Sequence, residues 1–219
     1  TEPDSEWIDL FNGRDLTGWQ PMKTPDIQKL DTHVPDDDGW DVRDGAIICE
    51  TDANGWLKLP GEYGDFELEL DFRLPSSGNT GVFFRSDRKG HLPESGMEAQ
   101  LIADDYSTPQ SPDFQLTDAI RSGALYGIRG PAKSSLRPVG EWNALRIRCH
   151  GDSVRITLNG ATTAAVNMSQ IKELRDRPRR GTILLSNWQG EARGAAFRNV
   201  RIRELDASES PPSESEGPP

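Results

Sequence analysis

The chain has 219 residues, enough for one domain with appendages and enough to bury a core without a disulfide framework. It is 34% hydrophobic, with a mean hydropathy of −0.68, a formal net charge of −11 and a pI near 4.8. That acidity excludes the basic patches that recruit nucleic acid or anionic membrane surfaces, and no apolar run approaches the roughly 20 residues of a membrane-spanning helix.

Three segments are expected: a lead-in over 1–8, one domain over 9–205, and an acidic Pro/Ser tail over 206–219. The chain opens TEPDSEWIDLF without Met, which reads as a mature or trimmed start. Its end, from Glu204, reads ELDASESPPSESEGPP, with five acids, no base and four prolines. Such a segment cannot bury enough apolar surface to offset its ordering entropy. Over the whole chain there are 21 glycines and 16 prolines, spaced as punctuation, and helical periodicity is nearly absent.

In chain order, GAIICE at 45–50 is the first strand-like run. Phe66, Leu68, Leu70 and Phe72 alternate with Glu67, Glu69, Asp71 and Arg73, a strand with one wet face. Val82 and Phe84 alternate with Gly81, Phe83 and Arg85; Met97, Ala99 and Leu101 alternate with Glu98 and Gln100. Leu145, Ile147 and Cys149 lead through a Gly151–Asp152 turn to Val154, Ile156 and Leu158, and Asn159–Gly160 turns the chain again, so 144–166 reads as a three-strand meander. Met168, Ile171 and Leu174 recur at helical spacing before Pro178, which predicts one short helix over 167–177. Residues 181–187 and 197–205 supply two more strands. Many short strands with regular turn signals predict an all-β jelly-roll sandwich, with long loops near 20–40 and 103–123. Cys49 and Cys149 sit in strand-like runs, so two buried free thiols are favoured over a 49–149 disulfide.

One pair stands out on the residues alone. Glu98 and Gln100 share a strand face by period two, opposite Met97, Ala99 and Leu101, and the adjacent Asp104 and Asp105 add polar groups. The alternative is an ordinary solvated face. Asn79 opens the preceding strand at a turn or bulge, and Tyr126 is either a packing residue or one that stacks on and hydrogen-bonds a ligand. Three scattered histidines, His33, His91 and His150, make no zinc site. Asp36–Asp37–Asp38 and Asp104–Asp105 are candidate oxygen ligands for calcium or another divalent ion, without EF-hand spacing. No other cofactor is signalled. The residues that would ligate a metal, and the oligomeric state, are left open.

Leu10-Phe11-Asn12-Gly13-Arg14-Asp15-Leu16-Thr17-Gly18-Trp19 resembles the opening of the 3-keto-disaccharide hydrolase family. Six further blocks follow in order: GWDVRDGAIICE at 39–50, YGDFELELDFRLPSSGNTGVFFRS at 63–86, GMEAQLIADDY at 96–106, SGALYGI at 122–128, GEWNALRIRCHGDSVRITLNG at 140–160 and FRNVRIREL at 197–205. The resemblance implies a concanavalin A-like jelly roll, a carbohydrate substrate, cleavage of glycosides oxidised to a ketone at C3, and a secreted or periplasmic location. Where the family often shows L-Q-N-H-G, this chain has Leu185-Ser186-Asn187-Trp188-Gln189-Gly190, keeping Asn187 and placing Trp188 at the His.

Glucanases of similar architecture carry E-x-D-x-x-E on one strand, and ordinary glycoside hydrolysis uses two such carboxylates. Here the matching positions are Glu98, Gln100 and Ala103, so the strand lacks the second carboxylate. A 3-keto sugar needs only one base, because the ketone acidifies C2–H and opens an elimination that expels the C1 substituent, with water adding afterwards. Glu98 is the expected base and Arg85 the expected enolate stabiliser, an ion pair to a neighbouring acid being the alternative for Arg85. Gln100, Asn79, Asp104, Tyr126, Asn187 and Trp188 are the expected sugar-binding residues. Trp188 would act as a stacking platform, while Trp7, Trp19, Trp40, Trp56 and Trp142 read as packing residues. A non-catalytic carbohydrate-binding module and a glucanase-like hydrolase of unmodified glycans are the rival functions.

Overall fold

The computed structural model describes residues 6–22, 39–50, 55–86, 95–108, 111–187 and 190–206. Thirteen strands follow in chain order: β1 (Ile8–Asp9), β2 (Gln20–Met22), β3 (Trp40–Arg43), β4 (Ala46–Cys49), β5 (Gly55–Lys58), β6 (Phe66–Arg73), β7 (Asn79–Ser86), β8 (Met97–Ile102), β9 (Asn143–His150), β10 (Ser153–Leu158), β11 (Ala161–Asn167), β12 (Thr182–Asn187) and β13 (Ala196–Glu204). They form two antiparallel sheets. The larger runs β11-β10-β9-β6-β13-β4-β3, with β1 added beside β13, and the smaller runs β2-β5-β12-β7-β8. The sequence-predicted all-β sandwich is the fold observed, and β9–β11 form the expected meander.

The two inner faces meet in one core. Phe66, Leu68, Leu70 and Phe72 of β6 and Ile147 of β9 pack with Leu57 of β5, Val82 and Phe84 of β7, Leu101 of β8 and Leu185 of β12, all fully or nearly fully buried. The outer face of the larger sheet is a lattice of charge. Glu67 pairs with Arg203 at 2.6 Å, Glu69 with Arg201 at 2.5 Å and also with Arg146, and Asp71 with Arg198 at 3.3 Å. The rings of Trp7 and Trp142 lie against Arg201 and Arg198. Each exposed pair adds at most about 1 kcal/mol, but together they satisfy the wet face and fix its register. Trp7 and Ile8 thus belong to the sandwich, although the sequence reading left them in a lead-in.

Two expectations are corrected. Over 167–177 there is no α-helix but a 3₁₀ turn at Met168–Gln170 followed by irregular turns. A repeat every three residues is also the 3₁₀ period, so Met168, Ile171 and Leu174 can all face inward without an α-helix. The second concerns Arg85. β12 pairs Thr182 with Ser86 but Leu184 with Phe83, so the register slips by one residue there. Arg85 takes the slack with φ +51°, a left-handed conformation rare for a side chain of this size. Instead of alternating outward it turns inward, fully buried. It donates to Gly64 O and Gly151 O at 2.9 Å and to Asp65 Oδ1 at 3.0 Å, bolting the smaller sheet to the turns at the end of the larger one.

Cys49 and Cys149 are free and buried, and burial pushes the Cys149 thiol up to about 12. Among the described residues no helix is long and apolar enough to cross a membrane. The acidic run Asp36–Asp38, His33, His91 and the tail from Ala207 lie outside the described residues.

Candidate active site

The outer face of the smaller sheet carries a cavity of about 200 Å³ lined by Trp56, Asn79, Thr80, Phe83, Glu98, Gln100, Tyr126 and Ser186. Strand register explains this set. Trp56 of β5 lies opposite Ser186 of β12, Gly81 of β7 opposite Gln100 of β8, and Phe83 opposite Glu98. Trp56, Phe83 and Leu184 form a small apolar cluster separate from the main core, with the Trp56 and Phe83 rings edge-on at 4.7 Å. This cluster is the floor. Thr80 donates its hydroxyl to Ser186 O at 2.6 Å and ties β7 to β12 beneath it.

Beside β8 the segment 123–129 adds a further edge. Gln100 N donates to Ala124 O at 2.9 Å, Gly123 N to Gln100 O at 2.8 Å and Tyr126 N to Glu98 O at 2.9 Å. The ribbon brings Tyr126, more than half exposed, to the cavity rim.

Glu98 dominates the electrostatics. Among the residues lining the cavity it is the one carboxylate, and among the described residues no side chain hydrogen-bonds or ion-pairs with it. Burial against Phe83 and its neighbours, uncompensated by any donor, pushes its carboxyl up to about 8. Its side chain folds across Gly81. A Cβ built on that glycine would stand 2.1 Å from Glu98 Oε1 and 2.9 Å from Cγ and Cδ, so the carboxylate occupies space that any other residue at 81 would fill.

The opposite wall is made of amides. Gln100, 3% exposed, donates from Nε2 to Asn79 Oδ1 at 2.8 Å, and Asn79 Nδ2 donates to Glu191 Oε2 at 2.6 Å. Tyr106 hydrogen-bonds both Glu191 and Asn79, and burial with the neighbouring Glu191 charge pushes its phenol up to about 12. The main chain seals this arrangement, with Asn79 N donating to Glu191 O at 2.9 Å.

Of the sequence-predicted site residues, Glu98, Gln100, Asn79 and Tyr126 come together here. Arg85 does not; its bulge sends it to the other side of the sheet. Asp104 faces a separate cleft with Leu136 and Arg137, while Asp105 accepts from Ser76 Oγ at 2.6 Å and Ser77 N at 2.9 Å, which clamps the β6–β7 turn and holds its carboxyl below the usual range. Asn187 is fully buried and accepts from Ala192 N at 3.0 Å, capping the turn that carries Glu191 rather than facing the cavity. Trp188 lies outside the described residues. Sequence reasoning missed Trp56, Phe83, Ser186, Tyr106 and Glu191. Phe83 and Ser186 sit in runs it recognised as strands, but Glu191 sits in a turn with no periodic signal. Among the described residues no group of three or more His, Cys, Asp or Glu side chains could hold a metal ion.

The model of the 3-keto-α-glucoside-1,2-lyase-like domain matches residues 6–203. A 3-keto-disaccharide hydrolase of Bacteroides thetaiotaomicron is 24% identical over 166 residues, 68% of this chain; the chain spans 54% of that relative's length. Among solved structures, a candidate glycosyl hydrolase of Parabacteroides distasonis superposes with a TM-score of 0.72 at 23% identity, over 91% of this chain and 94% of the other. A carbohydrate-binding module of Bacillus subtilis superposes with a TM-score of 0.56 at 16% identity, over 85% and 96%.

Proposed function

The chain belongs to the 3-keto-α-glucoside-1,2-lyase-like family, and we propose from that premise that it cleaves 3-keto-glycosides by elimination followed by hydration. The observation that carries this reading is the isolation of Glu98. A two-carboxylate hydrolysis needs a partner acid roughly 5–10 Å across the scissile bond, and among the described residues no second carboxylate lines the cavity. A carboxyl pushed to about 8 by burial is instead a base strong enough to take an acidified carbon-bound proton.

In this mechanism the sugar ring sits over Trp56 and Phe83. Glu98 removes the proton from C2; the C2–H pair moves toward the C3 carbonyl, giving an enolate. The enolate oxygen takes a hydrogen bond from the free N–H of Gln100, the role the sequence assigned to Arg85. Collapse of the enolate forms the C1–C2 double bond and breaks the C1–O bond, and the departing alkoxide takes the proton of the Tyr126 hydroxyl. Water then adds: its hydroxyl goes to C1, the proton held by Glu98 goes to C2, and the remaining proton of the water returns to Tyr126, so both residues are restored and the sum is hydrolysis. Hydrogen bonds that strengthen only as charge develops lower the barrier most.

The test is to incubate the protein with a 3-keto-glucoside and with its unoxidised parent and to follow the released alcohol. Release from the ketone alone supports the reading, and comparable release from the parent refutes it. Binding of the sugar without release from either would favour the carbohydrate-binding module.

A further inference from the structure

We propose that Glu191 is a positioning residue that fixes which way the Gln100 amide points, and thereby aims the N–H that meets the substrate's ketone oxygen; the inference rests on the function proposed above. Glu191 and Asn79 are 112 residues apart in sequence, and the turn 190–195 exists to bring them together: Asn187 caps it, and Asn79 N closes it on Glu191 O.

The logic is one of donors and acceptors. A carboxylate only accepts, so the 2.6 Å contact to Glu191 Oε2 forces Asn79 to present its Nδ2 there. Asn79 is planar, so its Oδ1 must then face Gln100, and Gln100 must answer with Nε2 at 2.8 Å. The chain has one direction, and no flip of either amide satisfies it. Tyr106, bonded to both Glu191 and Asn79, holds the anchor in place. Gln100 is left with one N–H and its Oε1, neither of which has a partner among the described residues, on the wall of the cavity. A ketone accepts and its neighbouring hydroxyl donates, so an amide held this way reads a keto-alcohol edge; a glycoside with hydroxyls at every position gains less from a fixed direction.

Glu191→Gln keeps shape and size but removes the acceptor-only end. Asn79 can then turn over, donating to Gln100 Oε1 and swinging the Gln100 N–H out of register. The expected result is a fall in kcat on a 3-keto-glucoside of about 10-fold, the scale for a misaligned oxyanion donor being 10²–10³ when it is lost outright, with KM changed less and the melting temperature held within about 2 °C. Adding Asn79→Asp to Glu191→Gln restores an acceptor facing Gln100, with the Gln at 191 now donating to it, and is expected to recover most of the lost kcat. Full kcat in Glu191→Gln, or a loss that the double variant does not recover, would overturn the assignment. Titration with the sugar product, 3-keto-glucose, separates this from the wider reading. If the unsubstituted protein binds it but cleaves nothing, the proposed reaction fails while Glu191→Gln must still weaken binding for the positioning role to stand. Cleavage with no effect of Glu191→Gln removes the positioning role alone.

Discussion

Replacing Glu98 by Gln tests whether the buried carboxyl is strained in the way the cavity implies. In the fold it titrates near 8, against 4.5 for an ordinary Glu, because desolvation acts on it with no donor to offset it. A folded value raised above the unfolded one means the fold holds the proton more tightly. The associated stability is complete below about pH 4.5 and is lost as the pH rises through 8. At about 1.4 kcal/mol per pH unit between the two values, ionisation penalises the fold by up to about 5 kcal/mol, and partial opening of the cavity to solvent reduces this to about 2–4 kcal/mol. Gln has the same shape and no charge. Urea unfolding of both proteins at pH 4.5 and pH 9, at one ionic strength, should give stabilities within about 1 kcal/mol at the lower pH. At the higher pH the variant should be more stable by about 2–4 kcal/mol, while turnover falls by at least about 10²-fold. Equal stabilities at pH 9 would show that the carboxylate is well solvated or partnered, and the physical basis for a raised base would be gone.

For the same reason, kcat/KM of the unsubstituted protein should climb with pH, reach half its limit near 8 and level off above that, as Glu98 loses its proton; a profile already flat above pH 5 would contradict this. Gly81→Ala should leave the melting temperature nearly unchanged, because the flexible end of Glu98 can swing aside, yet cost about 10²-fold in kcat/KM by displacing the base; retained activity would show that the carboxylate need not lie over residue 81. Arg85→Met should destabilise by about 2–4 kcal/mol, leaving two carbonyls without their donor and Asp65 with Gly151 N alone, with little change in turnover per folded molecule; a stable but inactive variant would return Arg85 to the active site. Removal of residues 207–219 should change neither melting temperature nor activity, since ASESPPSESEGPP has no large apolar residue to dock; a shift of several degrees in calorimetry would show that it packs.

The strands from β6 onward were legible because each runs six residues or more and completes three or more periods of alternation, enough to separate inner from outer face. β1 to β5 run two to four residues, and only GAIICE among them carried a recognisable pattern. Trp56 was accordingly taken as packing when it floors the cavity. Period two correctly put Glu98 and Gln100 on one face, and the same rule failed at Arg85 for a definite reason. A left-handed residue inside a strand resets the alternation, and nothing in NTGVFFRS marks which non-glycine residue will adopt it. Glu191 was invisible in a different way: its meaning comes from Asn79, more than a hundred residues earlier, through a contact no local pattern encodes. Asn187 was noticed as a residue the family keeps, and its place turned out to be the cap that aims Glu191.

The central claim is that Glu98 begins the reaction by taking a proton from carbon. Its most direct test is cleavage of a 3-keto-glucoside in deuterium oxide, alongside the same substrate deuterated at C2 in ordinary water. The expected result is solvent deuterium at C2 of the released sugar, a slower rate for the C2-deuterated substrate, and neither cleavage nor exchange by Glu98→Gln. Cleavage that keeps the original hydrogen at C2 and shows equal rates for both substrates would mean that the C1–O bond breaks without elimination, and that Glu98 is not the base.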